Sequence, residues 1–133
     1  MDRLISRLPM RLCTDGGPSV DLKVSCYYSA DDPYAVKMNF GRVGDAEEAV
    51  WVVSRELLMV GLQARAGLGD TFIRPWDDGH TLITLLGDTG RALLRTPTRE
   101  LSAFLAATAQ LVPVGTESTR IDWDAWIGHI LSA

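Results

Sequence analysis

The chain has 133 residues, a formal net charge of −4 and a sequence pI of about 5.0. This length is typical of one domain and can bury a core without disulfides or a metal. The longest apolar runs, at 49–53 and 57–60, are far shorter than the roughly 18 residues of a membrane span, and the first residues lack the apolar stretch of a secretory signal. We therefore expect a single domain over residues 1–133, with reduced thiols and a cytoplasmic location.

The acidic balance bears on the class of partner. Aspartate and glutamate (17) outnumber lysine and arginine (13), whereas a tight binder of phosphate backbones normally has a basic excess. Arg3, Arg7 and Arg11 form a small basic stripe, which a solvated strand face also explains. The composition thus disfavours nucleic acid and favours protein partners.

Period-two alternation dominates the first forty residues and predicts antiparallel strands. These strands cover 8–12, 20–28 and 34–40, with turns at 15–18 and 31–33. The first segment also fits a helix, because Arg3, Arg7 and Arg11 are four residues apart, and Pro9 argues both against a long helix and against a central strand. A fourth strand over 48–53 has apolar residues on both faces, which indicates a place near the middle of the sheet.

Helical spacing follows the fourth strand. Ser54 is suited to cap a helix with Glu56 in its first turn, and the glycines at 67 and 69 end that helix. Further strands are predicted at 71–76, 81–86 and 91–95, followed by a helix that begins at Pro97 and a short helix after Asp122. The two main helix starts, Ser54-Arg-Glu-Leu57 and Thr98-Arg-Glu-Leu101, echo each other, which either duplication or coincidence explains.

The predicted fold class is therefore α+β, a curved antiparallel sheet of about seven strands with about three helices. Four strands and a helix are followed by three or four strands and a helix. Two acidic pairs, Asp31-Asp32 and Asp77-Asp78, lie where turns favour aspartate rather than where a catalytic dyad would form.

A search for catalytic and metal-binding motifs leaves no candidate set. His80 and His129 lack a cysteine or carboxylate at metal-ligand spacing, and Cys13 and Cys26 are not closely spaced. Cys26 is in phase with a buried strand face, which indicates a small core residue. We expect no catalytic residue, no metal and no cofactor.

The aromatic residues permit two interpretations. A stacking platform for single-stranded bases would use four aromatic and two basic residues: Tyr27, Tyr28, Tyr34, Phe40, Lys23 and Lys37. The parity of Tyr28, Tyr34 and Phe40 instead favours core packing. In the terminal helix, Trp123 and Trp126 either cover the core of the domain or contact a partner, and they are the candidate partner-contact residues.

Several short motifs together resemble the SsgA-like proteins, which are sporulation and cell-division regulators of actinobacteria. They are the segment Tyr28-Ser-Ala-Asp-Asp-Pro-Tyr-Ala-Val36 and the segment Trp51-Val-Val-Ser-Arg-Glu-Leu-Leu58. The resemblance continues through Gly67-Leu-Gly-Asp70, Gly90-Arg-Ala-Leu93 and Val112-Pro-Val-Gly-Thr-Glu117. It covers roughly residues 20–131, in order and with matching spacing.

This resemblance implies a non-enzymatic regulator with a whirly-like fold, in which a unit of four strands and a helix occurs twice, and it implies a homotrimer. The implied partners are the tubulin-like division protein FtsZ and other SsgA-like proteins, and the implied place of action is the sporulation septum. An adaptor for division proteins is therefore the leading functional hypothesis. The alternative is a single-stranded nucleic-acid-binding module of whirly-like fold.

Overall fold

The structure is a computed structural model that describes residues 2–14, 16–42, 47–88 and 90–132, without the side chains of Thr14, Trp123, Ala125, Trp126 and Ser132. Its strands are β1 (Arg3–Thr14), β2 (Val20–Ser29), β3 (Asp32–Asn39), β4 (Val50–Ser54), β5 (Ala66–Leu68), β6 (Thr71–Asp77), β7 (His80–Gly87) and β8 (Gly90–Pro97). They form one antiparallel sheet in the order β4-β3-β2-β1-β8-β7-β6-β5.

Among the described residues, three α-helices interrupt or follow these strands: α1 (Arg55–Gly61), α2 (Thr98–Leu111) and α3 (Trp123–Ser132). A 3-10 turn, Glu117–Arg120, connects α2 to α3. Helices α1 and α2 each follow a run of four strands, so the architecture repeats along the chain. This confirms the predicted α+β class with an antiparallel sheet and three helices.

In the described part of the chain the sheet has eight strands instead of about seven, and the additional one is β5. The glycines at 67 and 69 indicated only a helix end, but Ala66–Leu68 pairs with Thr71–Ile73. Gly69 has a φ of 60°, which suits the tight turn between β5 and β6. A three-residue strand with a central glycine has no alternation from which it could be predicted.

Strand β4 lies at an edge of the sheet, so the prediction of a central position is wrong. Its partner is β3, through pairs from Ala35↔Ser54 to Asn39↔Val50. The apolar residues on its two faces have different surroundings. Val53 is buried under the helices, whereas Val50 and Val52 are more than half exposed on the opposite face.

Strand β1 is central in spite of Pro9, which is the second correction. Pairing between β1 and β8 runs from Thr14↔Ala92 to Arg11↔Arg95, and continuing that register would place Pro9 opposite Pro97. Since neither proline has an N–H group, the ladder ends there. The hydroxyl of Thr96 donates to the carbonyl of Pro9 at 3.0 Å.

The core lies between the sheet and helices α1 and α2. The alternation of the sequence correctly predicted most of the strand residues that are buried there. Leu8, Met10, Val24, Tyr28 and Met38 are buried. Tyr34 is not: it is 48% exposed, which contradicts its predicted place in the core. The pairing register between β2 and β3 is irregular between Tyr27 and Ser29, so alternation does not predict which residues near this turn are buried. Pro33 is buried instead of Tyr34, and its carbonyl accepts a hydrogen bond from the hydroxyl of Tyr28 at 2.8 Å.

The two cysteines are free and far apart, and Cys26 is a core residue as predicted. Cys26 lies opposite Ser6, and Cys13 lies seven residues further along β1, about 24 Å away at the usual rise per strand residue. Burial raises the pKa of the Cys26 thiol to about 12. Cys13 is half-buried, with its sulfur 3.5 Å from Ser19 Oγ.

We expect an aromatic disulfide reagent at mildly alkaline pH to modify Cys13 in the native protein and to leave Cys26 unmodified, because the thiolate is the nucleophile. Both thiols should react in denaturant. In a Cys13→Ser variant, release of the chromophore from the native protein would contradict the buried position of Cys26.

A buried arginine connects the first helix to the end of the second. Arg55 is 1% exposed, and its guanidinium donates to the carbonyls of Thr108 (3.1 Å) and Val112 (2.7 Å). Its Nη2 lies 2.9 Å from Glu117 Oε2 without a well-aligned hydrogen bond, so this contact is an ion pair held by charge. The guanidinium also lies 5.1 Å from the ring centroid of Tyr28, within cation–π range.

The pKa of Glu117 is lowered from its ordinary value of 4.5 by the hydrogen bond from its own backbone N–H, by the adjacent Arg55 guanidinium and by the hydrogen bond from the N–H of Gly115. A lowered pKa means that the stabilisation is fully present above 4.5 and is lost as the pH falls below that value. Glu117→Gln should therefore flatten the decline in unfolding free energy between about pH 5 and pH 3. Urea unfolding across this range measures it, and parallel curves for the two proteins would refute it.

Candidate interaction surface

The face of the sheet opposite α1 and α2 is called the open face here. Strand residues that alternate with the core point towards it, and several large apolar ones are exposed. Ile5 is 65% exposed, Tyr27 39% and Val52 56%. They belong to one cross-strand row, Ile5↔Tyr27↔Lys37↔Val52. Ile5 and Tyr27 are direct neighbours in this row, and the aliphatic stem of Lys37 continues the apolar surface to Val52. Exposed apolar surface of this kind marks interaction sites.

A second row of the open face is basic. Arg11 pairs with Asp21 on one side and with Arg95 on the other, and the row continues through Leu82 to Arg74. The Nε of Arg11 is 3.9 Å from Asp21 Oδ1, and both side chains are about half exposed or more. An ion pair so exposed contributes little stability. The row has a net positive charge, because it contains three arginines and one aspartate.

Positive charge extends over most of the open face. Strand alternation places eight of the thirteen lysines and arginines there: Arg3, Arg7, Arg11, Lys23, Lys37, Arg74, Arg91 and Arg95. Away from strand ends, Asp21 is the one acidic residue at such a position in the described strands. The sequence indicated only a small stripe at 3, 7 and 11, and the broader basic face is a correction to that interpretation.

Two further aromatic residues of the open face, Phe72 and Trp76, are partly covered by neighbouring residues. The ring of Phe72 lies across Gly67, where an added Cβ would be 2.6 Å from a ring carbon. Trp76 stacks with the guanidinium of Arg74, whose central carbon is 5.2 Å from the ring. Their exposed edges add apolar surface beside the basic row.

The other side of the sheet has an apolar groove beyond the helices. It has a volume of about 710 Å³ and is lined mainly by Leu12, Leu22, Phe40, Trp51, Leu85 and Leu94. Beside it, Trp51 Nε1 donates to Thr71 Oγ1 at 3.1 Å, which joins β4 to β6 across the curved sheet. Phe40 is thus half-buried at the groove rather than fully in the core.

The predicted partner-contact residues, Trp123 and Trp126, lie in α3, but their side chains are outside the described part of the structure. Their role stays a prediction. The described apolar residues of α3 are exposed: Ile127 by 46%, Ile130 by 51% and Leu131 by 80%.

The residues considered for catalysis take turn and surface positions. Asp77 Oδ1 accepts the N–H of Gly79 and contacts His80 Nδ1, both at 2.9 Å, and these contacts lower the pKa of Asp77, that with His80 most. The backbone N–H of Asp31 donates to Ser29 Oγ. Within the described residues, histidine, cysteine, aspartate and glutamate form no group of three that could hold a metal.

No helix in the described part of the chain has the length and apolar character needed to cross a bilayer. The fold and its surfaces define the class: an antiparallel sheet of repeated four-strand units with helices on one face and an uncovered apolar and basic face on the other.

Comparison with known proteins identifies the family to which this fold belongs. The family described as Streptomyces sporulation and cell division protein, SsgA, matches residues 22–117. The sporulation-specific cell division protein SsgB of Thermobifida fusca is 44% identical over 108 residues, 79% of this chain and 78% of that protein. SsgB of Streptomyces coelicolor is 37% identical over 130 residues, 94% of this chain and 93% of that protein.

A solved structure agrees with the sequence comparison. The crystal structure of the SsgA-like sporulation-specific cell division protein from Thermobifida fusca matches with a TM-score of 0.83 and 38% identity, over 96% of this chain and 94% of that one. The chain belongs to the SsgA family of actinobacterial sporulation and cell division proteins, which is not a known enzyme family.

Proposed function

We propose that this protein acts in sporulation-specific cell division as a non-enzymatic adaptor that binds division proteins through its open face. The exposed row of Ile5, Tyr27 and Val52 carries this proposal. Leaving apolar side chains in water forgoes the stabilisation that burial would give, about 25 cal/mol per Å². A partner that covers the row recovers it. The family membership supplies the process in which such a partner acts.

The partner proposed first is FtsZ, with other SsgA-like proteins as further partners, at the cytoplasmic side of the sporulation septum. The test is a binding assay between purified FtsZ and the wild-type protein, followed by the same assay with a related SsgA-like protein. Binding to at least one of them is expected. Binding to neither would refute the adaptor function.

Self-association, proposed as a trimer, belongs to the same function. Two uncovered apolar surfaces support it, the groove lined by Leu22, Phe40 and Trp51 and the exposed side of α3. Light scattering should give a mass above that of one chain. Leu131→Asp changes a side chain that is 80% exposed, so it tests α3 without disturbing the core. Ser102→Asp, on the exposed side of α2, is the matched control.

A monomer in both the wild-type protein and the control would refute self-association. An oligomer that is unaffected by Leu131→Asp would exclude α3 from its interface and leave the groove as the surface to be substituted next.

Single-stranded nucleic acid remains the second candidate partner, because the open face combines basic residues with exposed Tyr27 and Phe72. Stacked bases and neutralised phosphates are the usual basis of such binding. Titration with a labelled oligonucleotide across a salt series tests it. Binding that vanishes at moderate salt and shows no dependence on oligonucleotide length would exclude this function.

A further inference from the structure

A shallow pocket opens on the open face at the seam between the two halves of the sheet. Its volume is about 450 Å³, and both Pro9 and Pro97 line it. The pocket exists because the ladder between β1 and β8 stops at these prolines, where two compact rings replace longer side chains. The break in pairing thus creates a depression in an otherwise continuous sheet.

Lysine, arginine and histidine side chains line this depression. Lys23 is the cross-strand partner of Pro9 on β2, and His80 is the partner of Pro97 on β7. Arg11 and Arg95 lie in the next row of this face towards the C-terminal end of β1, and all four residues line the pocket.

Among the described residues that line the pocket, Asp21 is the one carboxylate. It lies 3.9 Å from Arg11 Nε, and its side chain is 84% exposed. Three lysine or arginine charges therefore face one carboxylate, and the pocket has an excess of positive charge.

The pairing of Arg11 with Arg95 is unfavourable for the sheet itself. Like charges directly opposite each other on neighbouring strands are destabilising. An anion between the two guanidinium groups would remove that repulsion. Arginine is also well matched to carboxylates, since its planar fork donates two parallel hydrogen bonds to their two oxygens.

We propose that this pocket binds the carboxylates of an acidic segment in a partner protein. The inference rests on the proposed adaptor function and names the chemistry of the partner. A short acidic segment fits because its charges end within the basic face. A long polynucleotide would continue onto the remaining surface, where acidic residues outnumber basic ones, and would be repelled there.

The test is fluorescence anisotropy with a labelled polyglutamate peptide and a labelled oligothymidylate of the same formal charge. The wild-type protein should bind the peptide in a salt-dependent way. Arg95→Gln and Arg11→Gln should each weaken peptide binding about tenfold, the loss of one charge-assisted contact. Asp21→Asn should strengthen it, because the competing carboxylate is removed.

Arg99→Gln is the matched control, since it removes the same charge from the exposed start of α2. Equal weakening by Arg99→Gln and Arg95→Gln would show that only net charge matters and would overturn the proposal. Tighter binding of the oligothymidylate than of the peptide would overturn it in favour of a phosphate ligand, and absence of peptide binding would refute it outright.

The two proposals fail in different ways. If the wild-type protein binds FtsZ and Arg95→Gln binds it equally well, the adaptor function stands and the pocket is not its contact. If the wild-type protein binds the peptide but no division protein, the pocket stands and the adaptor function fails.

Discussion

Replacing Arg55 with methionine is expected to lower the free energy of unfolding by about 3–5 kcal/mol, because removing one partner of a buried ionic contact leaves the remaining charge without its counter-ion. Three groups lose contact with the guanidinium: the carbonyls of Thr108 and Val112, which accept hydrogen bonds from it, and the carboxylate of Glu117, which is its ion-pair partner. The Thr108 carbonyl keeps the backbone N–H of Val112 at 2.8 Å, whereas the Val112 carbonyl lies beyond the last turn of α2 and loses the guanidinium.

The repeated architecture provides a matched control for this substitution. Arg99 occupies the equivalent place in Thr98-Arg-Glu-Leu101, but it is exposed. Arg99→Met should change stability by about 0.5 kcal/mol or less. Urea unfolding of both variants measures the difference. Similar losses for the two would show that Arg55 does not join the helices as described.

Gly61→Ala is expected to destabilise the protein by about 1–3 kcal/mol through overpacking. A Cβ at position 61 would lie within 2.5 Å of the Cβ of Ile73 and 3.3 Å from its backbone carbonyl carbon. Because the contact involves β6 itself and not only a flexible side-chain end, the helix has to shift. The glycine is therefore needed for the close approach of α1 to the sheet.

Gly128→Ala controls for the general effect of alanine in a helix. Apart from its own turns of helix, no atom of the described residues lies within 4 Å of the added Cβ at that position, so greater helix propensity should stabilise the protein by up to about 1 kcal/mol. In thermal or urea unfolding, Gly61→Ala combined with Ile73→Ala should cost less than the sum of the two single changes. Additive losses, or a neutral Gly61→Ala, would contradict the close packing.

Local patterns in the sequence were enough to predict most elements, but not their places in the sheet. Alternation correctly placed Val24, Cys26 and Met38 in the core, and Ser54 caps α1 as predicted, with its Oγ accepting the N–H of Leu57. The edge position of β4 could not be predicted, because apolar residues on two faces occur both in central strands and in edge strands with an uncovered apolar surface.

The open face shows the same limit for function. Arg74 and Arg95 are distant from Arg11 along the chain, and only the pairing of four strands brings them into one row. The net charge of −4 sums this basic face with a more acidic remainder, so it did not indicate that the face exists. The echo between the two helix starts was visible, but burial of Arg55 and exposure of Arg99 depend on the 3-10 turn, which packs beside only one of them.

The central claim is that the open face binds division proteins, and co-sedimentation with polymerised FtsZ tests it most directly. The variant is Tyr27→Ser with Val52→Ser, and the control is Val60→Ser with Val114→Ser, which removes exposed apolar side chains from other surfaces. Circular dichroism should show that both variants are folded. We expect the control to sediment with FtsZ as the wild-type protein does and the open-face variant to stay in the supernatant. Equal sedimentation of all three proteins would contradict the claim.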